Sequence, residues 1–314
     1  MNDKPTTSPA EPKPVATSAN PPFGLVDLAM LGVTLVWGLN FAVVKHTFAE
    51  MLPLTFNGLR FVLSSALMLA LTLLIDKNLR VRRSDVALII LTGLIGNGLY
   101  QILFIKGLAL TTAGNSALLV ATNPIFIALL TALFGLERIT PRMWVGILLS
   151  FAGIVLVIGS SDKGLGINPH TLPGDALTLL AGLCWGVYAL LTRPLVRRYS
   201  PIKVTTLSML AGTPLILLAA IPDLTAQDWS AITLRGWGGL GFSFFLSISM
   251  AYIVYSKAIS VMGNARTGIY SNLVPVVTMI AAALTLGERV GWLQVGGALI
   301  ILAGIYLTRA GGRR

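Results

Sequence analysis

Trp37 and Asn40 stand three residues apart, and 148 positions further on Trp185 and Tyr188 repeat that spacing. Residues three apart share one face of a helix, so each pair offers an aromatic surface with a hydrogen-bonding group beside it. Asn97, Tyr100 and Gln101 gather in another apolar run, and Tyr252 with Tyr255 in the run that matches it downstream. Asn123 precedes Pro124, and Asn272 lies shortly before Pro275, with Tyr270 on the approach. Arg60 is the one ionisable residue well inside an apolar stretch. These groups stack, donate and accept. The chemistry they suit is noncovalent recognition of a small uncharged or zwitterionic solute with a planar or apolar part.

Other chemistries lack their parts. One cysteine, Cys184, and two histidines build neither a disulfide nor a metal cluster. No Ser-His-Asp set and no phosphate-binding glycine loop with its lysine occurs, so the expectation is a protein without enzyme activity, metal or cofactor. A plainer reading of the same residues stays open. The tryptophans could pack between helices, Asn97 and Gln101 could bond helix to helix, and Pro124 and Pro275 could be static kinks rather than hinges. Arg60 has two readings as well: it could hold a substrate carboxylate in two hydrogen bonds, or snorkel to a membrane interface about two turns away.

The elements that must position these residues are apolar helices. The chain is 55% hydrophobic and 11% charged, with mean hydropathy +0.81, too little charge for the surface of a soluble protein. Stretches of about 20 apolar residues, the length that crosses a bilayer, fall at 27–47, 55–75, 86–106, 114–135, 142–160, 174–192, 203–221, 236–257, 267–287 and 291–308. Pro53, Pro141, Pro173 and Pro201 fit helix starts, where the missing N–H costs nothing. Backbone groups in lipid must be satisfied internally, which makes these spans helices.

The spans form a repeat. A shift of 151 carries Lys106 onto Lys257, Pro124 onto Pro275, Glu137-Arg138 onto Glu288-Arg289 and Gly146 onto Gly297. A shift of 148 carries Asp27 onto Asp175, Trp37-Gly38 onto Trp185-Gly186 and Lys45 onto Arg193. With five spans in each half, the second half must be upside down relative to the first. Loop charge agrees: a cytoplasmic N-terminus puts seventeen Lys and Arg inside against five outside. The fold class read here is all-α integral membrane, ten transmembrane helices as two inverted five-helix repeats, with both termini cytoplasmic. Residues 1–22 read as a disordered cytoplasmic tail without a cleavable signal peptide, 23–160 as the first repeat, 161–172 as a linker, 173–309 as the second repeat and 310–314 as a short tail. The net charge of +11 is spread over short loops, so nucleic acid is not an expected partner; the lipid bilayer is.

Inverted repeats give secondary transporters a mid-membrane site that opens alternately to either side. Trp37-Gly38-Leu39-Asn40-Phe41 with Lys45, Leu59-Arg60-Phe61, Asn123-Pro124 before Gly135-Leu136-Glu137-Arg138, and Val274-Pro275 before Leu286-Gly287-Glu288-Arg289 form an ordered set. That set resembles the EamA family of the drug/metabolite transporter superfamily over about 27–308. The resemblance implies a ten-helix bundle in which helices 1–4 and 6–9 surround a central cavity while 5 and 10 brace it. It also implies transport of small organic solutes, often outward, and an arginine at the place of Arg60 whatever the substrate, which favours a structural part for that residue.

The expectation is therefore a carrier of the cytoplasmic membrane with a small-molecule substrate, exporting a metabolite, with an amino acid first among the substrate classes. Alternatives are an importer, an exporter of nucleobases or xenobiotics, and a scaffold that transports nothing. The cavity candidates are Trp37, Asn40, Asn97, Tyr100, Gln101, Asn123, Trp185, Tyr188, Tyr252, Tyr270 and Asn272, with Arg60 as an anion handle and Pro124 and Pro275 as hinges. Asp27 and Asp175 read as helix caps, and Glu137 and Glu288 as caps or ion-pair partners in turns. No carboxylate falls at mid-span, which argues for a facilitator or exchanger. Gly146, Gly153, Gly297 and Gly304 permit close helix contact on spans 5 and 10, within the chain or in a homodimer.

Overall fold

The computed structural model describes residues 24–135, 140–161, 164–165, 168–255, 257–258, 261 and 270–311. The readings of 1–22, of Glu137-Arg138 and of 312–314 lie outside the described residues. Eight helices are long and apolar enough to cross a membrane: α1 (Leu25–Thr47), α2 (Pro53–Ile75), α3 (Arg83–Leu110), α4 (Ala113–Leu133), α5 (Pro141–Ile158), α6 (Leu172–Val196), α7 (Pro201–Ala226) and α8 (Leu234–Tyr255). Two more helices follow, α9 (Val274–Leu286) and α10 (Trp292–Gly311), whose apolar parts, Val274–Leu286 and Trp292–Leu307, are shorter. A two-residue pairing, Ser160–Ser161 with Gly164–Leu165, lies between α5 and α6.

Proline and glycine set several boundaries. Pro53, Pro141, Pro173 and Pro201 stand in the first turn of α2, α5, α6 and α7, where an absent N–H leaves nothing unsatisfied. Gly287 ends α9 with φ +67 and Gly135 follows α4 with φ +66, the left-handed conformation that glycine adopts without a Cβ penalty.

Helices pack chiefly against partners from the other half. α2 meets α7 through Ser65–Thr213 (2.9 Å) and Thr72–Thr206 (2.7 Å) hydroxyl pairs. α1 meets α9 where the Thr278 hydroxyl donates to the carbonyl of Gly38 (3.1 Å). α3 crosses α6 at Gly107 and Gly174, each lying against the other's backbone. α5 and α10 pack backbone to backbone: a Cβ on Gly153 would meet the Gly297 carbonyl at 2.8 Å, and one on Gly297 would meet the Gly153 carbonyl at 2.9 Å. The glycine faces on α5 and α10 are thus consumed within the chain, with Ile147, Ile154, Ile301 and Ile305 packed around them. A homodimer through those same glycines would have to displace this pair.

Two π-helical segments interrupt the regular helices, Leu94–Leu99 in α3 and Phe242–Met250 in α8. Under the 148–151 shift of the repeat they fall on one another. At the start of α1, Asp27 accepts from the Gly24 N–H (2.9 Å), as a capping residue should, and also from the Tyr270 hydroxyl (2.6 Å). Asp175 does not cap α6. Its buried carboxylate turns sideways and accepts from Thr111 (2.5 Å) and Asn115 (3.5 Å). Glu288 does cap, accepting from the Ala113 and Gly114 N–H groups at the start of α4 (2.7 and 3.1 Å).

Candidate functional site

Between the two halves lies a cavity of about 340 Å³, at the lower end of the range for small-molecule sites. α1 supplies Trp37, Asn40 and Phe41, α2 supplies Arg60, and α3 supplies Tyr100, Gln101 and Phe104. Asn123 and Pro124 of α4, Trp185 of α6, Ser247, Tyr252 and Tyr255 of α8, and Ser271, Asn272 and Pro275 at the entry to α9 complete the polar and aromatic wall.

The aromatic residues form two groups. Trp37 packs edge-on against Tyr252 (6.4 Å between ring centroids) and tilted against Tyr255 (5.4 Å). Its indole N–H donates to the Ser247 carbonyl (2.9 Å) in the π-helical part of α8, where the widened turn shifts the backbone bonding pattern. Trp185 packs against Tyr100 (5.2 Å) and Tyr188 (5.0 Å), and Tyr100 stacks on Phe104 (5.9 Å). Such contacts add roughly 0.5–1.5 kcal/mol each beyond buried area, enough to hold the rings as a fixed wall.

Both helix breaks open onto this cavity. α4 is interrupted at Ala121-Thr122 and restarts at Asn123, with Pro124 in the first turn of the new segment. α9 starts at Val274, with Pro275 in its first turn, after a turn at Asn272-Leu273. Each proline opens a fresh helical segment rather than bending a continuous one.

Arg60 does not reach an interface. It is 2% exposed and held inside by the Asn57 and Gln101 carbonyl oxygens on Nη2 (2.7 and 2.8 Å) and by the Ser243 hydroxyl on Nη1 (3.2 Å). Phe56 and Phe61 flank its guanidinium (5.3 and 5.7 Å to the ring centroids). Among the described residues it is the one charged group on the cavity wall.

Three of the candidate residues sit off the wall. Asn97 lies in the π-helical part of α3 and donates to the Ser208 hydroxyl of α7 (3.1 Å). Tyr188 fills the space over Gly96, behind Trp185. Tyr270 is drawn to Asp27, while its carbonyl accepts from Thr34 (3.1 Å). Conversely Phe41, Phe104, Ser247 and Ser271 line the cavity without having been singled out, and Tyr255 joins them. Two of these were within reach of the repeat: Gln101 maps onto Tyr252 and Phe104 onto Tyr255 at a shift of 151.

Comparison with known proteins agrees with this architecture. The model of the EamA-like transporter family matches twice, over residues 24–159 and 172–310. The uncharacterized transporter YyaM of Bacillus subtilis (strain 168) is 30% identical over 292 residues, covering 91% of this chain and 93% of that protein. A Salmonella typhimurium (strain LT2) protein named "Probable amino-acid metabolite efflux pump" is 29% identical, covering 91% and 95%. A "Probable terminal-alkyne amino-acid exporter" of Streptantibioticus cattleyicolor is 29% identical, covering 75% and 77%. A crystal structure at 20% identity superposes with a TM-score of 0.65 over 92% of this chain and 98% of the other, a likeness of fold.

Proposed function

The chain belongs to the EamA-like transporter family and is a multi-pass membrane transporter of small molecules, and on that premise we propose that it exports an amino acid across the cytoplasmic membrane by alternating access. In this reading α9 and α10 also cross, giving ten spans in two inverted repeats, 23–160 and 173–309, with both termini in the cytoplasm. The substrate occupies the cavity between the halves, and the breaks before Pro124 and Pro275 are the hinges on which each half rocks.

One observation carries the proposal: matched residues of the two halves wall a single cavity. Trp37 faces it with Trp185, Gln101 with Tyr252, Phe104 with Tyr255, and Pro124 with Pro275. A scaffold needs no such pairing. Aromatic and amide groups around a single cation suit a zwitterion with an apolar part and disfavour a multiply anionic solute. The relatives named for amino-acid efflux support the same substrate class. Among the described residues no carboxylate lines the cavity, so the proposed mode is facilitated movement or exchange rather than carboxylate-driven proton coupling.

Counterflow in proteoliposomes tests this: liposomes are loaded with one unlabelled amino acid at a time and offered the labelled form without an ion gradient. Accumulation of label is the expected result. No accumulation of any amino acid, with or without a proton gradient, would overturn the substrate class and return the choice to nucleobases or xenobiotics.

A further inference from the structure

One end of the bundle carries a cationic face assembled from both halves. The α2–α3 turn, 76–82, brings Lys77, Arg80 and Arg82, with Arg83 opening α3, and the α6–α7 turn brings Arg197 and Arg198. Side chains lace the two turns together. Ser200 donates to the Asp76 carboxylate, Lys203 Nζ to Asn78 Oδ1 (3.0 Å), the Arg82 N–H to the Tyr199 hydroxyl (2.9 Å), and that hydroxyl to Asp85 (2.7 Å). Arg198 pairs with the other Asp85 oxygen (2.6 Å). Both carboxylates of this face are thereby used internally. Lys77, Arg80, Arg82, Arg83 and Arg197 are exposed, and their side chains make no hydrogen bond or ion pair among the described residues. The opposite end lacks such a face. There Glu50 and Asp228 hold the α7–α8 turn, and Arg235 is bonded to His46 (3.1 Å).

Topology alone accounts for basic turns, yet it asks for neither the lacing nor the internal use of both acids. The cations also continue directly into the apolar belt. Exposed Leu74 and Ile75 end α2 just before Lys77, exposed Val86 lies one helical turn from Arg83 on the same face, and exposed Val196 adjoins Arg197. A ligand that matches this arrangement carries an anion with hydrocarbon attached. We propose that the face binds the headgroup phosphates of anionic phospholipids. The guanidinium forks of Arg80, Arg82, Arg83 and Arg197 take the phosphate oxygens, and the acyl chains run along Leu74, Val86 and Val196. Such a lipid bridges turns from the two halves and steadies α2–α3 against α6–α7 at this end. Its binding depends on the membrane assignment alone and not on which solute is carried.

Native mass spectrometry of the purified full-length chain, with phosphatidylglycerol or phosphatidylcholine of identical acyl chains, tests the assignment. Phosphatidylglycerol should bind at least about tenfold more tightly, the ratio expected of one charge-assisted contact, and the ratio should shrink as ammonium acetate is raised. Arg80→Gln, Arg82→Gln, Arg83→Gln and Arg197→Gln combined should bring the two lipids to equal binding, with phosphatidylcholine binding unchanged. The same loss of four charges placed elsewhere, Lys106→Gln, Arg142→Gln, Arg235→Gln and Arg289→Gln combined, should leave the preference intact. Equal binding of the two lipids by the wild-type chain would overturn the lipid site even if the arginine variant failed to insert. Equal loss of preference in the two fourfold variants would overturn it as well. So would displacement of phosphatidylglycerol by equimolar sn-glycerol 3-phosphate, which has the phosphate without acyl chains and would mark a site for a free phosphate ester.

Discussion

Trp37 and Trp185 occupy the same place in the two halves, yet the structure uses them differently. Trp37 is pinned: its N–H is spent on the Ser247 carbonyl, and Tyr252 and Tyr255 pack against its ring. Trp185 packs between Tyr100 and Tyr188, but its indole N–H has no acceptor among the described residues. A repeat that makes the scaffold symmetric thus builds an asymmetric site. One wall spends its indole donor inside the protein, and the other does not.

The largest effect should come from removing either ring. Trp37→Ala or Trp185→Ala should abolish counterflow while membrane insertion, read from the yield of folded protein in the membrane fraction, stays near wild type. Full activity of both variants would sink the cavity assignment. Next comes a substitution away from both tryptophans. Gly153→Val drives a side chain into the α5–α10 contact and should destabilise by about 1–3 kcal/mol, seen as a lower thermal midpoint in detergent with apparent substrate affinity unchanged. A changed affinity would mean that the brace and the cavity are not separate.

Phenylalanine replacements sharpen the comparison itself. Trp37→Phe leaves the Ser247 carbonyl without its donor and should cost roughly 1 kcal/mol of stability. Trp185→Phe breaks no internal hydrogen bond and should stay within about 0.5 kcal/mol, its deficit appearing in solute binding instead. Equal stability losses would erase the distinction drawn here.

The smallest effect concerns a loop. Glu50 accepts from the Thr233 N–H and hydroxyl, which holds its carboxyl below the ordinary value of 4.5. A lowered folded-state value makes Glu50 stabilising above the unfolded value, and that contribution is lost as pH falls through the folded one. Denaturation of Glu50→Gln should therefore differ from wild type at pH 7 and converge with it in acid. Divergence in acid would reverse the assignment.

How much of this was legible in the chain follows from individual residues. The paired tryptophans and prolines could be read directly, because the repeat spacing survives in both halves. Asn97 was grouped with Tyr100 and Gln101 because the three lie close together in one apolar run, yet only the latter two line the cavity. The Leu94–Leu99 segment is π-helical, and an extra residue per turn rotates the face by roughly 100°, sending Asn97 to Ser208. Tyr270 was displaced by a partner remote in sequence, Asp27, and Tyr188 by the hole above Gly96. Arg60 was legible as unusual, but its inward turn depended on Asn57, Gln101 and Ser243 converging from three helices. Local periodicity carries no signal for such convergence.

Alternating access requires that the cavity be reached from one face at a time. In a Cys184→Ala background, a reporter on the cavity wall, Val120→Cys, is treated with a membrane-impermeant maleimide from either side, before and after oxidative cross-linking of Gly114→Cys to Glu288→Cys. Glu288 caps the start of α4 at that contact, so the cross-link should hold the Glu288 face shut. Labelling read at residue 120 itself should occur from both faces before cross-linking, and afterwards should be lost from the Glu288 face alone. Unchanged labelling from that face, or a reporter that never reacts from more than one side, would contradict it.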